Sequence, residues 1–190
     1  MSKDYFEDVN YKGEDFTEQE IAAFEYENCT FTNCVFASAD LTGTKFSGCE
    51  FEDCDLSLAK LRETSFQDVE FVNCKLLGLH FDDCSQFLLS FNFKNCVLNF
   101  ASFYKLKLKN VRFEDCKLVE AEFVETDLTK AIFRNCDLNR TVFENSILES
   151  ADLRTAFNFS IDPENNKISK AKFSAQNIRG LLDKYDLAIE

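Results

Sequence analysis

The 190-residue chain contains no tryptophan, one proline, one histidine, one methionine and five glycines. No stretch of 18 apolar residues occurs, which argues against a membrane-spanning helix. The opening residues, MSKDYFEDVN, are polar and acidic and lack the basic-then-apolar layout of a secretory signal, so we expect a cytoplasmic protein. The chain has neither a set of histidines for acid–base catalysis nor a glycine-rich loop that holds phosphate, and an enzyme is not expected.

Two residue types are in excess, with 22 phenylalanines and nine cysteines. Without an export signal, the cysteines are expected to be free thiols rather than disulfides. They lie at Cys29, Cys34, Cys49, Cys54, Cys74, Cys84, Cys96, Cys116 and Cys136. Every gap between neighbours is a multiple of five except the gap of 12 between Cys84 and Cys96. A period of five fits neither a strand nor a helix, so it indicates an internal repeat with two inserted residues.

A longer period of about twenty residues contains the period of five. One column of large apolar residues consists of Phe31, Phe51, Phe71, Phe93, Phe113 and Phe133, spaced 20, 20, 22, 20 and 20. If four pentads form one coil, like residues stack in successive coils at about the 4.8 Å spacing of neighbouring strands. Each pentad then turns one bulky and one small residue inward, and no pentad buries its apolar pair alone.

The pentads resemble those of the pentapeptide repeat family, whose consensus is A(D/N)Lxx. The closest pentads are ADLTG (39–43), CDLSL (54–58), AEFVE (121–125), TDLTK (126–130), CDLNR (136–140) and ADLRT (151–155). The resemblance covers about residues 26–157, with a two-residue slip at about 82–92. It implies an all-β solenoid, a right-handed quadrilateral β-helix with four pentads per coil.

The two ends depart from the repeat. Residues 1–25 are expected to form an irregular N-terminal coil or cap. Phe16 keeps the phase of the repeat, but Thr17 with Glu20 also resembles the capping box of a helix, with Phe16 and Ile21 as its hydrophobic staple. Both interpretations remain open at this point.

Residues 158–190 are predicted to form a turn around the single proline, a short capping helix and a short strand at 187–189. Ser174 can cap the helix, in which four apolar residues share a face: Ile178, Leu181, Leu182 and Tyr185. This face is expected to cover the last coil, because solenoid ends expose core. It is also the candidate surface for a homodimer. The chain resembles relatives that protect DNA gyrase, and those relatives dimerise through their C-terminal ends.

No metal or cofactor site is expected. Zinc sites need four converging ligands, whereas these cysteines alternate between walls or stack in one column, so core packing is the favoured interpretation. The single histidine, His80, is predicted to lie on the surface. Acidic pairs such as Asp82–Asp83 and Glu52–Asp53 are expected to be solvated.

The slip is the local irregularity that favours a binding surface. Large apolar residues with lysines beside them form the candidate interaction surface: Leu77, Phe87, Leu88, Phe100, Tyr104, Lys105 and Lys107. Exposed apolar patches with a polar rim often mark interfaces. A bulge whose side chains fold back onto the wall is the alternative.

The net charge of −13 is unevenly distributed. Residues 1–84 carry 19 acids and 6 bases, residues 85–112 carry no acid and five bases, and the remainder carries 15 acids and ten bases. Direct nucleic-acid binding is therefore not expected. The resemblance to the acidic, quinolone-resistance members of the family implies a non-enzymatic DNA mimic that binds a type II topoisomerase, such as DNA gyrase or topoisomerase IV. The alternative is a protein-interaction scaffold with an unknown partner. An acidic face interrupted by lysines would favour this alternative, and the lysines concerned are Lys94, Lys105, Lys107 and Lys109.

Overall fold

The computed structural model describes residues 4–18 and 24–188 of the chain. The described part contains thirteen short β-strands, and every strand pair is parallel. The strands are β1 (Tyr5–Glu7), β2 (Asn10–Lys12), β3 (Glu25–Glu27), β4 (Thr30–Thr32), β5 (Lys45–Ser47), β6 (Glu50–Glu52), β7 (Ser65–Gln67), β8 (Val69–Val72), β9 (Phe91–Lys94), β10 (Arg112–Glu114), β11 (Glu122–Val124), β12 (Ile132–Arg134) and β13 (Val142–Glu144). No helix in these residues is both long and apolar enough to cross a bilayer.

The strands form a four-sided solenoid, as predicted. We number its faces in the order in which the chain crosses them. Face 1 carries the seven-stranded sheet β2-β4-β6-β8-β9-β10-β12, and face 2 carries isolated bridges such as Val35 to Asp55. Face 3 carries β11 and β13, and face 4 carries the sheet β1-β3-β5-β7. Each coil therefore lies in register on the coil before it, and the sequence column of phenylalanines becomes a physical column.

The core consists of stacked aromatic rings. Phe113 lies nearly parallel to Phe93 and Phe133, with both ring centroids 5.1 Å away. It meets Phe103 and Phe123, in the column on face 3, nearly edge-on at 5.8 and 5.7 Å. Both arrangements are favourable for aromatic quadrupoles and add to the apolar area that each ring buries. The inward assignment of the bulky position is therefore confirmed, because all these rings are fully buried.

The side chain at the small inward position often forms a hydrogen bond in addition to fitting the limited space. The Cys74 thiol donates to the Phe51 carbonyl at 3.2 Å, and the Thr126 hydroxyl donates to the Phe103 carbonyl at 2.8 Å. Each acceptor lies in the preceding coil. Cysteine, threonine and serine therefore satisfy backbone oxygens inside the solenoid, a role that packing arguments from the sequence missed.

The corner of most pentads has a left-handed backbone. Asn33, Asn73 and Asn135 have φ values of +53°, +56° and +52°, and asparagine tolerates this region better than most residues do. Leu58 and Phe100 adopt the same conformation, with φ values of +59° and +61°. Their side chains are placed at a corner of the rod, where they remain exposed.

Residues 4–18 form three sides of a first coil that keeps the phase of the repeat, and these sides are more regular than the irregular coil expected for residues 1–25. Strand β1 pairs with β3, and β2 pairs with β4. Tyr11 stacks on Phe31 with centroids 4.9 Å apart, so aromatic stacking extends the ladder despite poor repeat sequences. Thr17 donates its backbone N–H to Asp15 Oδ1 at 2.9 Å. The remainder of the capping-box interpretation concerns residues 19–23, which lie outside the described residues.

The C-terminal segment contains two 3₁₀ turns, Ile178–Leu181 and Asp183–Tyr185, in place of the expected capping helix. Ser174 and Asn177 close a reciprocal pair, in which Ser174 N donates to Asn177 Oδ1 at 2.9 Å and Asn177 N donates to Ser174 Oγ at 3.3 Å. The strand predicted at 187–189 is wrong for its first two residues, which are irregular, and the third lies outside the described residues.

Bonds to the last coil explain why the segment does not form a regular helix. Asn177 Nδ2 donates to the carbonyls of Leu153 and Ala156 at 2.9 and 2.8 Å, and the Ile161 N–H donates to the Gly180 carbonyl at 2.8 Å. The segment is therefore tied to the last coil at two points, as a donor through Asn177 and as an acceptor through Gly180. Two 3₁₀ turns satisfy both points.

Candidate functional site

The two extra residues lie where the chain crosses face 4. Phe93 pairs with Phe71, 22 residues earlier, and with Phe113, 20 residues later. Before the insertion, Phe81–Asp83 form a 3₁₀ turn. We call residues 85–90 the bulge: the N–H groups of Ser85 and Ser90 still donate to the preceding coil, and the residues between them leave the wall. The slip predicted at 82–92 therefore corresponds to a local protrusion on one face.

Phe91 compensates for the bulge inside the core. Gln86 occupies the sequence position of an inward residue but is exposed, which would leave space in the interior. Phe91 stands in a position that is otherwise occupied by small residues, and it is only 3% exposed. Its ring lies 5.2 Å from that of Phe81 and 5.1 Å from that of Phe93. The core is thus filled, while the wall on face 4 is interrupted.

The interruption opens a cleft of about 290 Å³ between the bulge and the next coil. Residues 89–92 form one side and residues 107–111 form the other. One coil later, the backbone N–H of Ile132 donates to the Val111 carbonyl. The equivalent N–H of Arg112 donates instead to a side chain, Asn92 Oδ1, at 3.0 Å. The ladder resumes at Phe93.

The predicted interaction residues do not form one surface. Phe87 and Leu88 are 72% and 64% exposed at the tip of the bulge. Lys107 lies beside them, across the cleft. Tyr104 and Lys105 lie at the corner between faces 3 and 4, where Lys105 Nζ is 4.7 Å from the centroid of the Tyr104 ring. The structure therefore brings the bulge and Lys107 together and separates the others.

Leu77 and Phe100 lie at the corner between faces 2 and 3, together with a residue that the sequence reasoning missed. Leu58 is 64% exposed, and its Cδ2 lies 2.9 Å from where a Cβ on Gly78 would stand. Leu58, Gly78 and Phe100 occupy equivalent positions, 20 and 22 residues apart. The same spacing could have identified this corner strip (Leu58, Leu77 and Phe100) from the sequence.

Carboxylates on the surface are repeatedly paired with a base one coil away. Six such pairs, each twenty residues apart, have nitrogen–oxygen distances between 3.0 and 3.8 Å: Lys45–Glu25, Lys60–Asp40, Lys75–Asp55, Lys105–Glu125, Arg134–Glu114 and Arg140–Glu120. Exposed pairs of this kind contribute little to stability. Each pair does offset a negative charge on the surface of the rod.

The cysteines are packing residues with unreactive thiols. All nine are buried and none is disulfide-bonded. Burial raises the pKa of the Cys49 thiol to about 12, which keeps it protonated near neutral pH. No group of histidine, cysteine or acidic side chains able to hold a metal occurs in the part of the chain that the structure describes. His80 is exposed, with its Nδ1 3.6 Å from Asp82 Oδ1.

The candidate dimer surface is divided. Ile178 and Tyr185 are each 48% exposed, and the Tyr185 hydroxyl donates to Glu164 Oε1 at 2.9 Å. Leu181 and Leu182 are half-buried, and Leu181 packs against the core. The four residues do not share one helical face, because the two 3₁₀ turns have a different period.

Comparison with curated protein sequences returned no match. Among solved structures, a trypsin-treated variant of QnrB1, a plasmid-mediated fluoroquinolone resistance protein, is 22% identical, with a TM-score of 0.63 over 98% of this chain and 100% of that one. Full-length QnrB1 is 19% identical, with a TM-score of 0.62 over 96% and 100% of the two chains. HetL, a pentapeptide repeat protein involved in heterocyst differentiation regulation from the cyanobacterium Nostoc sp. strain PCC 7120, is 17% identical over 90% and 85%, with a TM-score of 0.40.

A family model described as a pentapeptide repeat region matches residues 24–92 and 88–157, which is most of the chain. The two matched ranges overlap at residues 88–92, which include the end of the bulge, and they leave out the first coil at residues 4–18. The chain therefore belongs to the pentapeptide repeat family, and its fold is the parallel β-solenoid of that family.

Proposed function

We propose that this protein is a non-catalytic, cytoplasmic binding protein whose partner is a type II topoisomerase such as DNA gyrase, which it protects from quinolones. The observation that carries the proposal is the end-to-end likeness to QnrB1, described as a fluoroquinolone resistance protein, over 96% or more of both chains. The likeness extends over the whole coil stack and its C-terminal end. The exposed apolar tip of the bulge supports binding to a protein surface.

We propose that binding uses the bulge rather than imitation of the phosphate backbone. Residues 1–84 carry the whole net charge of −13, since residues 85–190 contain 15 acids and 15 bases. Bases one coil away also neutralise several surface carboxylates. Mimicry of a duplex needs a continuous negative surface, whereas the basic residues 85–112 separate the negative excess of residues 1–84 from the smaller one of residues 113–190.

A gyrase supercoiling assay with ciprofloxacin tests the proposal. Added protein is expected to restore supercoiling, and Phe87→Ser is expected to reduce its potency at least about tenfold. Phe157→Ser is the matched control, because Phe157 is 45% exposed on face 2, away from the bulge. No protection and no inhibition at micromolar protein would contradict the topoisomerase proposal. Equal loss of potency with both variants would contradict the role of the bulge.

A scaffold with a different protein partner is the second candidate, and the corner strip favours it. Leu58 and Phe100 are 64% and 57% exposed, and they lie at a different corner from the bulge. In this case Leu58→Ser with Phe100→Ser abolishes partner capture, while Phe87→Ser leaves capture unchanged. We also propose a homodimer through the exposed Ile178 and Tyr185, and sedimentation of Ile178→Glu against the parent protein tests it.

A further inference from the structure

The bulge leaves one coil without its usual bonds to the coil before it on face 4. In every other described coil with a predecessor, the second residue of the face 4 pentad donates its backbone N–H to that predecessor. The bonds are Glu25 to Asp4, Lys45 to Phe24, Ser65 to Thr44, Ser85 to Thr64, Asp127 to Leu106, Ile147 to Thr126 and Lys167 to Ser146, all within 3.1 Å. Lys107 is the exception among the described residues.

The neighbouring pair of coils shows which backbone groups are left open. There, Leu108 N donates to Asp127 O at 2.8 Å, Asn110 N to Thr129 O at 3.0 Å, and Asp127 N to Leu106 O at 2.9 Å. One coil earlier, the equivalent groups are the Lys107 carbonyl, the Lys109 carbonyl and the Lys107 N–H. None of the three is bonded to a residue in the described part of the chain, and all three lie on the coil edge that borders the cleft.

The open groups have the pattern of a strand edge and not of an anion site. The Lys107 N–H donor comes first along the edge, followed by the Lys107 and Lys109 carbonyl acceptors, which are two residues and therefore about 6–7 Å apart. A carboxylate or phosphate would gain a single backbone donor and would approach two carbonyl oxygens, which disfavours a lone anion. An extended peptide supplies the complement, one C=O for the Lys107 N–H and two N–H groups for the carbonyls, because alternate residues along one side of a strand each offer both groups.

The side chains around the edge define the chemistry of that peptide. No acidic residue occurs between residues 85 and 112, a segment that forms both sides of the cleft. Lys107 makes no ion pair with a described residue, while Lys109 Nζ lies 3.3 Å from Asp127 Oδ2. Phe87 and Leu88 add exposed apolar surface next to the cleft. Acidic side chains alternating with apolar ones therefore match the site.

We propose that the cleft binds an extended, acidic segment of a partner protein, which adds as a parallel strand to the open edge at Lys107–Lys109. The added strand replaces the rung that the bulge removes and takes up the three open backbone groups. This inference rests on the protein-binding half of the proposed function but not on the identity of the partner.

Proline substitution tests whether the edge is open. Lys107→Pro removes the N–H that has no partner, whereas Lys45→Pro removes an equivalent N–H that donates to Phe24 O at 2.8 Å. Proline is tolerated where the N–H of an edge faces solvent. Lys107→Pro is expected to melt within about 2 °C of Lys107→Gln, which controls for the lost charge, and Lys45→Pro is expected to melt well below Lys45→Gln. Similar losses for the two proline variants would overturn the inference.

Fluorescence polarisation with a labelled peptide of alternating glutamate and valine tests the occupant. The peptide is expected to bind the parent protein and Lys107→Gln, to bind Lys107→Pro at least about tenfold more weakly, and to slow hydrogen exchange at the Lys107 amide. A peptide N-methylated at alternate amides, which cannot donate to the two carbonyls, is the matched control.

Three results would overturn the proposed occupant. Equal binding of the N-methylated peptide would mean that only charge is recognised. Full competition by inorganic phosphate would indicate an anion site. Self-association that Lys107→Pro abolishes, without peptide binding, would indicate a second copy of the chain. Peptide binding without gyrase protection would leave this inference intact and contradict only the topoisomerase partner.

Discussion

Truncation of one ring in the central aromatic column is the most direct test of the packing argument. Phe113 is fully buried, with its ring between those of Phe93 and Phe133 at 5.1 Å and edge-on to two further rings. Truncation of a buried phenylalanine to alanine costs about 3–5 kcal/mol, and the cost is highest where the site cannot collapse. Here the hydrogen-bonded ladder fixes the spacing of the flanking coils. We therefore expect Phe113→Ala to lower the free energy of unfolding by about 4–5 kcal/mol.

Thermal unfolding followed by circular dichroism measures this loss. In a protein of this size, about 1 kcal/mol corresponds to about 2–4 °C, so the melting temperature of Phe113→Ala is expected to fall by about 8–20 °C. Phe87→Ala removes the same atoms from a side chain that is 72% exposed, and its expected change is within about 0.5 kcal/mol. If Phe113→Ala has the same melting temperature as the parent protein, the contribution to stability assigned to the stacked column is refuted.

Three further outcomes follow from the small position, the last coil and the C-terminal segment. Burial raises the pKa of the Cys49 thiol to about 12, and all nine cysteines are buried. All nine thiols are therefore expected to resist a disulfide reagent at about pH 8 in the native protein and to react in guanidinium chloride. Rapid labelling of the native protein would contradict their burial. Gly180→Ala would place a Cβ 2.2 Å from the Phe159 carbonyl, so limited proteolysis should release the C-terminal segment from the variant but not from the parent. Lys184 Nζ lies 2.6 Å from Asp162 Oδ1 and holds the pKa of that carboxyl below its usual range. Lys184→Met is therefore expected to destabilise the protein fully near neutral pH and progressively less as the pH falls through the lowered pKa. A loss of stability that does not depend on pH would exclude the ion pair.

The repeat made most of the architecture predictable from the sequence. Phe93 and Phe113 could be assigned to one column because their spacing equals that of one coil, and parallel stacking then follows from the backbone ladder. The regularity of the first coil was not predicted, because Tyr11 and Phe16 lie among residues that match the consensus poorly. Stacking on Phe31 and Phe36 outweighs that mismatch, since the coil above supplies the template.

The candidate site was only partly predictable, because the sequence shows where two residues are inserted but not which face of the solenoid they leave. The gap between Cys84 and Cys96 locates the insertion, and the exposure of Phe87 follows from it. The open edge at Lys107 lies one coil further on, and it depends on which face the extra residues leave. The division of the C-terminal apolar residues could not be predicted either, since it results from tertiary bonds of Asn177.

The register of the coils has a consequence for how the chain folds. The bonds between coils join residues about 20 apart in a chain of 190, such as Lys60 N–H to Ala39 O, so the mean separation relative to length is about 0.1. Values this low are typical of fast-folding helical domains, although the structure consists of parallel strands. Growth can therefore proceed coil by coil from a local nucleus. The three missing bonds on face 4 weaken one junction in this series, and the coils on either side of it are expected to behave as two cooperative folding units.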